Sequence, residues 1–84
     1  MTRNEIYGQV QKHLAEMFAL DIATIKEDAR LRDDLDLDSI DAIDLAVKLQ
    51  ELTGKRVEET ALRDVRTVKD VVDLIERMLT HHGG

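Results

Sequence analysis

The stretch DDLDLDSIDAIDLAVKLQELTG, residues 33–54, runs from a dense acidic segment into the pattern of a helix. Its first thirteen residues hold six aspartates and no basic residue, and Ser39 in their middle is the only serine of the chain. Residues 21–51 carry ten acidic and four basic residues, which accounts for the whole net charge of −6. An acidic face of this kind argues against nucleic acid or an anionic membrane as a partner, and it favours a partner with a basic surface.

The helix signals in this stretch are local and physical. Asp38 is a good N-cap with Asp41 three residues on, and Gly54 is a natural residue just past a helix end. The stretch therefore predicts a helix that begins at Ser39 and ends near Thr53.

The flanking sequence predicts three more helices and one long loop. Helices are expected over residues 3–19, residues 59–65 and from Thr67 to the end of the apolar period. Residues 20–38 show no sustained period and predict a long loop of the kind that is usually functional. Its apolar side chains are expected to pin it to the core: Ile22, Ile25, Ala29, Leu31, Leu35 and Leu37. The predicted fold is all-α, a small four-helix bundle with three longer helices and one short helix.

Length and composition set outer limits. Eighty-four residues with 43% hydrophobic content support one modest core, expected as a single helical domain over residues 1–80 with a flexible tail at 81–84. The absence of cysteine excludes a disulfide framework and leaves the chain without a thiol of its own. No apolar leader or membrane-length run is present, so a cytoplasmic protein, expected to be a monomer, is the default.

The helix predicted from Ser39 carries two apolar stripes. At about 100° per residue, one face holds Ala42, Leu45, Leu49 and Leu52, which predicts a core stripe. The opposite face holds Ile40, Ile43 and Val47, with Asp44 and Glu51 at its edge. The second stripe either packs under the loop or a neighbouring helix, or forms a docking surface. The flanking carboxylates favour docking, because unpaired acids seldom surround a buried stripe.

Local chemistry allows several roles for Ser39. A serine nucleophile needs a base and an oxyanion hole, and none of His13, His81 and His82 has a visible orienting partner. A twelve-residue calcium loop starting at Asp34 fails at its glycine and glutamate positions, so no metal site is expected. Ser39 could also simply help to cap the helix.

Together these features resemble the acyl carrier proteins. The similarity lies in the D-S-I motif of residues 31–51, LRDDLDLDSIDAIDLAVKLQE. The resemblance implies a non-catalytic carrier of acyl or polyketide thioesters. It implies that Ser39, preceded by Asp38, receives a 4′-phosphopantetheine arm from a separate phosphopantetheinyl transferase. Acyl transferases and ketosynthases with basic surfaces are the other implied partners. The implied recognition surface consists of Ile40, Asp41, Ile43, Asp44, Val47 and Glu51.

Two residues depart from the family pattern. Asp36 stands where the family commonly has glycine, and Lys48 interrupts the acidic helix. These departures suggest a specialised carrier, for a polyketide, aryl-polyene-like pigment or lipid pathway, over the fatty-acid housekeeping carrier. Two alternatives stay open: an aminoacyl or peptidyl carrier, and an unmodified acidic adaptor that binds a basic partner.

Overall fold

The computed structural model describes residues 2–80, apart from the side chain of Glu59. In this range the chain forms four α-helices: α1 Arg3–Phe18, α2 Ser39–Thr53, α3 Glu59–Arg63 and α4 Val68–Thr80. The predicted all-α fold, with three longer helices and one short one, is confirmed. The predicted flexible tail at 81–84 lies outside the described residues.

Helix α1 begins and ends through residue-specific backbone chemistry. Thr2 accepts a hydrogen bond from the Glu5 amide, and the Glu5 carboxylate accepts one from the Thr2 amide, which completes a capping box. Ala19 ends the helix in the left-handed region, with φ 54°, so the helix stops one residue earlier than predicted. The buried face of α1 is formed by Ile6, Val10 and Leu14.

The segment between α1 and α2 is held by apolar side chains and by backbone hydrogen bonds. Ile25, Ala29, Leu35 and Leu37 are buried as predicted and Leu31 packs against the core, whereas Ile22 is exposed, contrary to prediction. Ile22 is the first residue of a short 3-10 helix, Ile22–Thr24, which the sequence pattern did not predict and which has no buried residue.

Backbone bonds tie the same loop to the segment that leads into α4. The Leu31 amide donates to the Arg66 carbonyl at 2.8 Å, and the Val68 amide donates to the Ala29 carbonyl at 3.0 Å. These bonds satisfy groups that a buried loop would otherwise leave unpaired, so the loop has a defined path to the start of α2.

Helix α4 supplies the most buried wall of the core. Thr67 and Asp70 exchange two hydrogen bonds at its start, as the predicted cap requires. Its buried side chains are Val68, Val71, Val72, Leu74 and Ile75. Within residues 2–80, no helix combines the length and the apolar content needed to cross a membrane.

Candidate functional site

The start of α2 is fixed by two aspartates. The Asp38 carboxylate accepts hydrogen bonds from the Ile40 amide at 2.9 Å and the Asp41 amide at 3.0 Å. In return, the Asp41 carboxylate accepts one from the Asp38 amide at 3.0 Å. The bond from the Asp41 amide, followed by that from Ile40, holds the pKa of the Asp38 carboxyl below its ordinary value, and the charge of Arg32 adds to the lowering. Asp38 is therefore the N-cap, as predicted.

Ser39 is the first residue of α2, and its side chain is exposed. None of the hydrogen bonds formed among residues 2–80 uses its hydroxyl, so Asp38 alone caps the helix with a side chain. The alternative in which the Ser39 hydroxyl helps to cap the helix is therefore wrong. Because this exposed hydroxyl makes no hydrogen bond to the described residues, it is available for covalent modification.

Two of the amide groups that follow Ser39 already have acceptors. A helix N-terminus commonly offers free N–H groups to an anion, but the amides of Ile40 and Asp41 donate to the Asp38 carboxylate. The Ala42 amide is also engaged, with the Asp38 carbonyl at 3.0 Å. An anion at Ser39 would have to find most of its partners elsewhere.

Asp36, two residues before the cap, adopts the left-handed backbone conformation with φ 56°. Glycine adopts this region without penalty, and aspartate tolerates it at some cost. The position where the resembling family commonly has glycine is thus one that needs a positive φ in this chain. Asp36 adopts this conformation and adds a negative charge three residues before Ser39.

The two apolar stripes of α2 differ sharply in exposure. Leu45 and Leu49 are 4% and 1% exposed, whereas Ile40 and Ile43 are 68% and 63% exposed, and Val47 is 50% exposed. The second stripe is therefore on the surface, as predicted, and it packs under neither the loop nor a neighbouring helix.

Leu52 was predicted to belong to the core stripe, but it is 40% exposed. It lies in the last turn of α2, next to the point where Gly54 ends the helix with φ 69°. The core-facing part of α2 therefore ends at Leu49. Ala42, at the other end of the predicted core stripe, is half-buried.

The carboxylates at the edge of the exposed stripe differ in the hydrogen bonds and ion pairs that they make. Asp41 is partly committed to the capping box, and Glu51 pairs with Lys48 at 3.2 Å. Asp44 is exposed and makes no ion pair among the described residues. The charge of the face is therefore concentrated towards the Ser39 end of α2, while its far end is nearly neutral.

A shallow groove of about 360 Å³ borders this face, and the sequence patterns did not reveal it. Met17 and Phe18 of α1 form one side, and α2 forms the other with Asp44, Val47, Lys48 and Glu51. Met17 and Phe18 continue the apolar period of Ile6, Val10 and Leu14 along α1, but both are only half-buried. Their position in the last turn of α1 was the one available signal, because a stripe often leaves the core at a helix end.

The histidines offer no constellation with Ser39. His13 is half-buried in α1, and its Nε2 atom is buried without a hydrogen-bond partner among the described residues. His81 and His82 lie outside the described range. Across residues 2–80, no three His, Cys, Asp or Glu side chains come together so that they could hold a metal ion.

The sequence matches a known protein family over most of its length. The family model described as "Phosphopantetheine attachment site" matches residues 8–75, a range that includes α2 and all of the loop before it. The match covers most of the chain, so it concerns the whole helical fold as well as the sequence around Ser39.

Curated relatives and solved structures agree with the family match. The chain is 46% identical to acyl carrier protein 2 of Ralstonia nicotianae, over 94% of this chain and 98% of the relative. It is 37% identical to the acyl carrier protein of Saccharopolyspora erythraea, over 95% of this chain and 88% of that one. The crystal structure of the Thermotoga maritima acyl carrier protein superposes with a TM-score of 0.79 at 27% identity, over 92% of this chain and 89% of that one.

Proposed function

The chain belongs to the acyl carrier protein family, and on this premise we propose that Ser39 is the residue that bears the 4′-phosphopantetheine arm. Proteins of this family are non-catalytic carriers of acyl intermediates. The observation that carries the assignment to Ser39 is its exposed hydroxyl at the first residue of α2, left unused because Asp38 caps the helix. The arm supplies the thiol that this cysteine-free chain lacks.

The attachment reaction requires only the hydroxyl from this chain. The Ser39 oxygen forms a bond to the phosphorus of coenzyme A that carries the pantetheine, and the pyrophosphate bond breaks. Adenosine 3′,5′-bisphosphate leaves, and the hydroxyl proton passes to a base on the transferase. Asp38 holds the start of the helix in place, so it presents the hydroxyl and takes no part in the bond changes.

The exposed stripe of α2 is the proposed docking surface for the transferase and the acyl-processing enzymes. Its apolar centre is formed by Ile40, Ile43 and Val47. These three large aliphatic side chains are each at least half exposed and lie on one face of the same helix. Carboxylates surround this centre: Asp41, Asp44 and Glu51. A partner that fits this surface has an apolar patch flanked by Lys or Arg, with its positive charge nearest Ser39.

The cargo is proposed to be an acyl or polyketide thioester of a specialised pathway, handled in the cytoplasm. Two departures from the family pattern support this: Asp36 in place of glycine, and Lys48, whose pairing with Glu51 reduces the acidity of the far end of α2. Ketosynthases and acyl transferases are the expected partner classes.

Intact-mass measurement tests the assignment of Ser39. The wild-type protein, incubated with coenzyme A and a promiscuous phosphopantetheinyl transferase, should gain one phosphopantetheine group. Ser39→Ala should fold like the wild type and gain nothing, and urea-unfolded wild type should serve as the control for dependence on the helix. A mass gain that persists in Ser39→Ala excludes this site, and a wild type that is never modified favours the unmodified adaptor.

A further inference from the structure

Two arginines precede Ser39 in the loop, and their surroundings differ. Arg30 pairs with Asp33 at 3.4 Å and with Asp34 at 3.6 Å. Arg32 is exposed, and within the described residues no carboxylate lies at ion-pair distance from it. Of the two arginines, Arg30 is thus paired with its neighbours, and Arg32 is available for a further anion.

The path of the loop brings Arg32 back towards the start of α2. The Leu37 amide donates to the Leu31 carbonyl at 2.9 Å, which closes the segment between them, and the positive φ of Asp36 allows the reversal. The positive charge of Arg32 acts on the residue before Ser39, because it contributes to the lowered pKa of the Asp38 carboxyl.

A phosphodiester attached to Ser39 would meet an unfavourable field without such a cation. The amides of Ile40 and Asp41, which follow Ser39 in the first turn of α2, already donate to the Asp38 carboxylate. Asp36, Asp38 and Asp41 add negative charge around the attachment point. Like charges at short range raise the free energy of the modified protein unless a positive group offsets them.

We propose that Arg32 holds the phosphodiester of the arm, as a positioning residue that acts after attachment. A guanidinium presents planar N–H groups that match the oxygens of a phosphate, and it stays charged at all relevant pH values. This role rests on the proposed attachment of the arm to Ser39. It predicts that the first bonds of the arm are held close to the loop while the remainder stays free to move.

The test is a cycle that combines attachment of the arm with replacement of the arginine. The melting temperature is measured for the unmodified and the modified forms of the wild type, Arg32→Gln and Arg30→Gln. The change caused by attachment should be less favourable in Arg32→Gln than in the wild type by about 2 °C or more. Arg30→Gln is the matched control, and its attachment effect should equal that of the wild type, whatever the substitution does to the unmodified protein.

Phosphorus NMR of the modified proteins gives the second readout. The resonance of the phosphodiester should narrow in Arg32→Gln towards that of the urea-unfolded modified protein, and Arg32→Lys should restore part of the width. Equal attachment effects in the wild type and Arg32→Gln, or an equal loss in Arg30→Gln, would overturn the role of Arg32. Both results presuppose a modified wild type, so they differ from a failure of Ser39 to accept the arm.

Discussion

The two faces of α2 are built from the same kinds of side chain and have different surroundings. Leu45 and Leu49 are enclosed by the core, while Ile40 and Ile43, a few residues away, project into solvent. Exposing large aliphatic side chains does not help the chain fold, since the buried face is sufficient to dock the helix. The contrast teaches that a single helix can carry one face that holds the fold together and another that stays exposed to solvent.

The largest effect should come from the buried face. Leu49→Ala removes a side chain that is 1% exposed, and we expect it to lower the free energy of unfolding by about 2–5 kcal/mol. Urea denaturation monitored by circular dichroism measures the change. Leu52→Ala is the matched control: it is the same substitution three residues on, at a side chain that is 40% exposed, and it should cost much less. Equal losses for the two variants would mean that exposure in the structure does not separate core from surface.

How much of this division the sequence contained can be judged from particular residues. Periodicity alone predicted both stripes, since Leu45 and Ile43 fall on opposite sides of any helix drawn through this segment. It failed for Leu52, because a helical wheel has no information on where the core stops covering the helix. It failed for Ile22 for a similar reason: the burial of a loop residue depends on the path of the backbone, which no period encodes.

The candidate site shows the same limits. The D-S-I motif predicts Ser39 as the attachment residue, and the spacing of Asp38 and Asp41 predicted the cap that the structure shows. The sequence could not show that the cap would occupy the neighbouring amides, because hydrogen-bond partners depend on side-chain geometry. It also could not pair Lys48 with Glu51, or separate the roles of Arg30 and Arg32.

The orientation of both faces depends on where α2 begins, so the Asp38 cap is the second feature to test. Folding lowers the pKa of the Asp38 carboxyl, so its ionised form stabilises the folded state above the ordinary aspartate value of 3.8. This stabilisation is lost as the pH falls below that value and through the lowered pKa of the folded state. Asparagine caps helices without a charge.

The wild type should therefore be more stable than Asp38→Asn at neutral pH, and the difference should shrink on acidification below about pH 4. Thermal melts from pH 7 to pH 2 measure it. Asp38→Ala, which loses the cap in every ionisation state, should be the least stable of the three at neutral pH. A constant difference between the wild type and Asp38→Asn over the whole range would contradict the assigned cap.

Backbone strain at Asp36 can be tested independently of the two faces of α2. Asp36→Gly places glycine at φ 56°, and relief of strain should raise the free energy of unfolding by up to about 1 kcal/mol. Ala19→Gly makes the same kind of change at φ 54°, far from Ser39, and should also stabilise. Urea denaturation measures both. Destabilisation of Asp36→Gly alone would show that the Asp36 side chain makes a contribution that its backbone conformation does not explain.

A smaller effect on stability is expected from charge reversal on the exposed face. Asp44→Lys should leave the unfolding free energy within about 0.5 kcal/mol, because Asp44 is exposed and takes no part in the cap. It should slow association with the transferase, and the difference from the wild type should decrease as added salt screens the surface charges. Stopped-flow association rates at several salt concentrations provide the measurement. Association that ignores both the reversal and the salt would make the acidic face a solubility feature only.

The division of α2 is tested most directly by the modification rate of Ile43→Ala. We expect kcat/KM for its modification by the transferase to fall well below the wild-type value, while its unfolding free energy stays within about 0.5 kcal/mol of wild type. Ile22→Ala is the matched control, since Ile22 is another exposed isoleucine, outside α2, and its rate should equal that of the wild type. If Ile43→Ala is modified at the wild-type rate, or unfolds as readily as Leu49→Ala, the exposed face is not the docking surface.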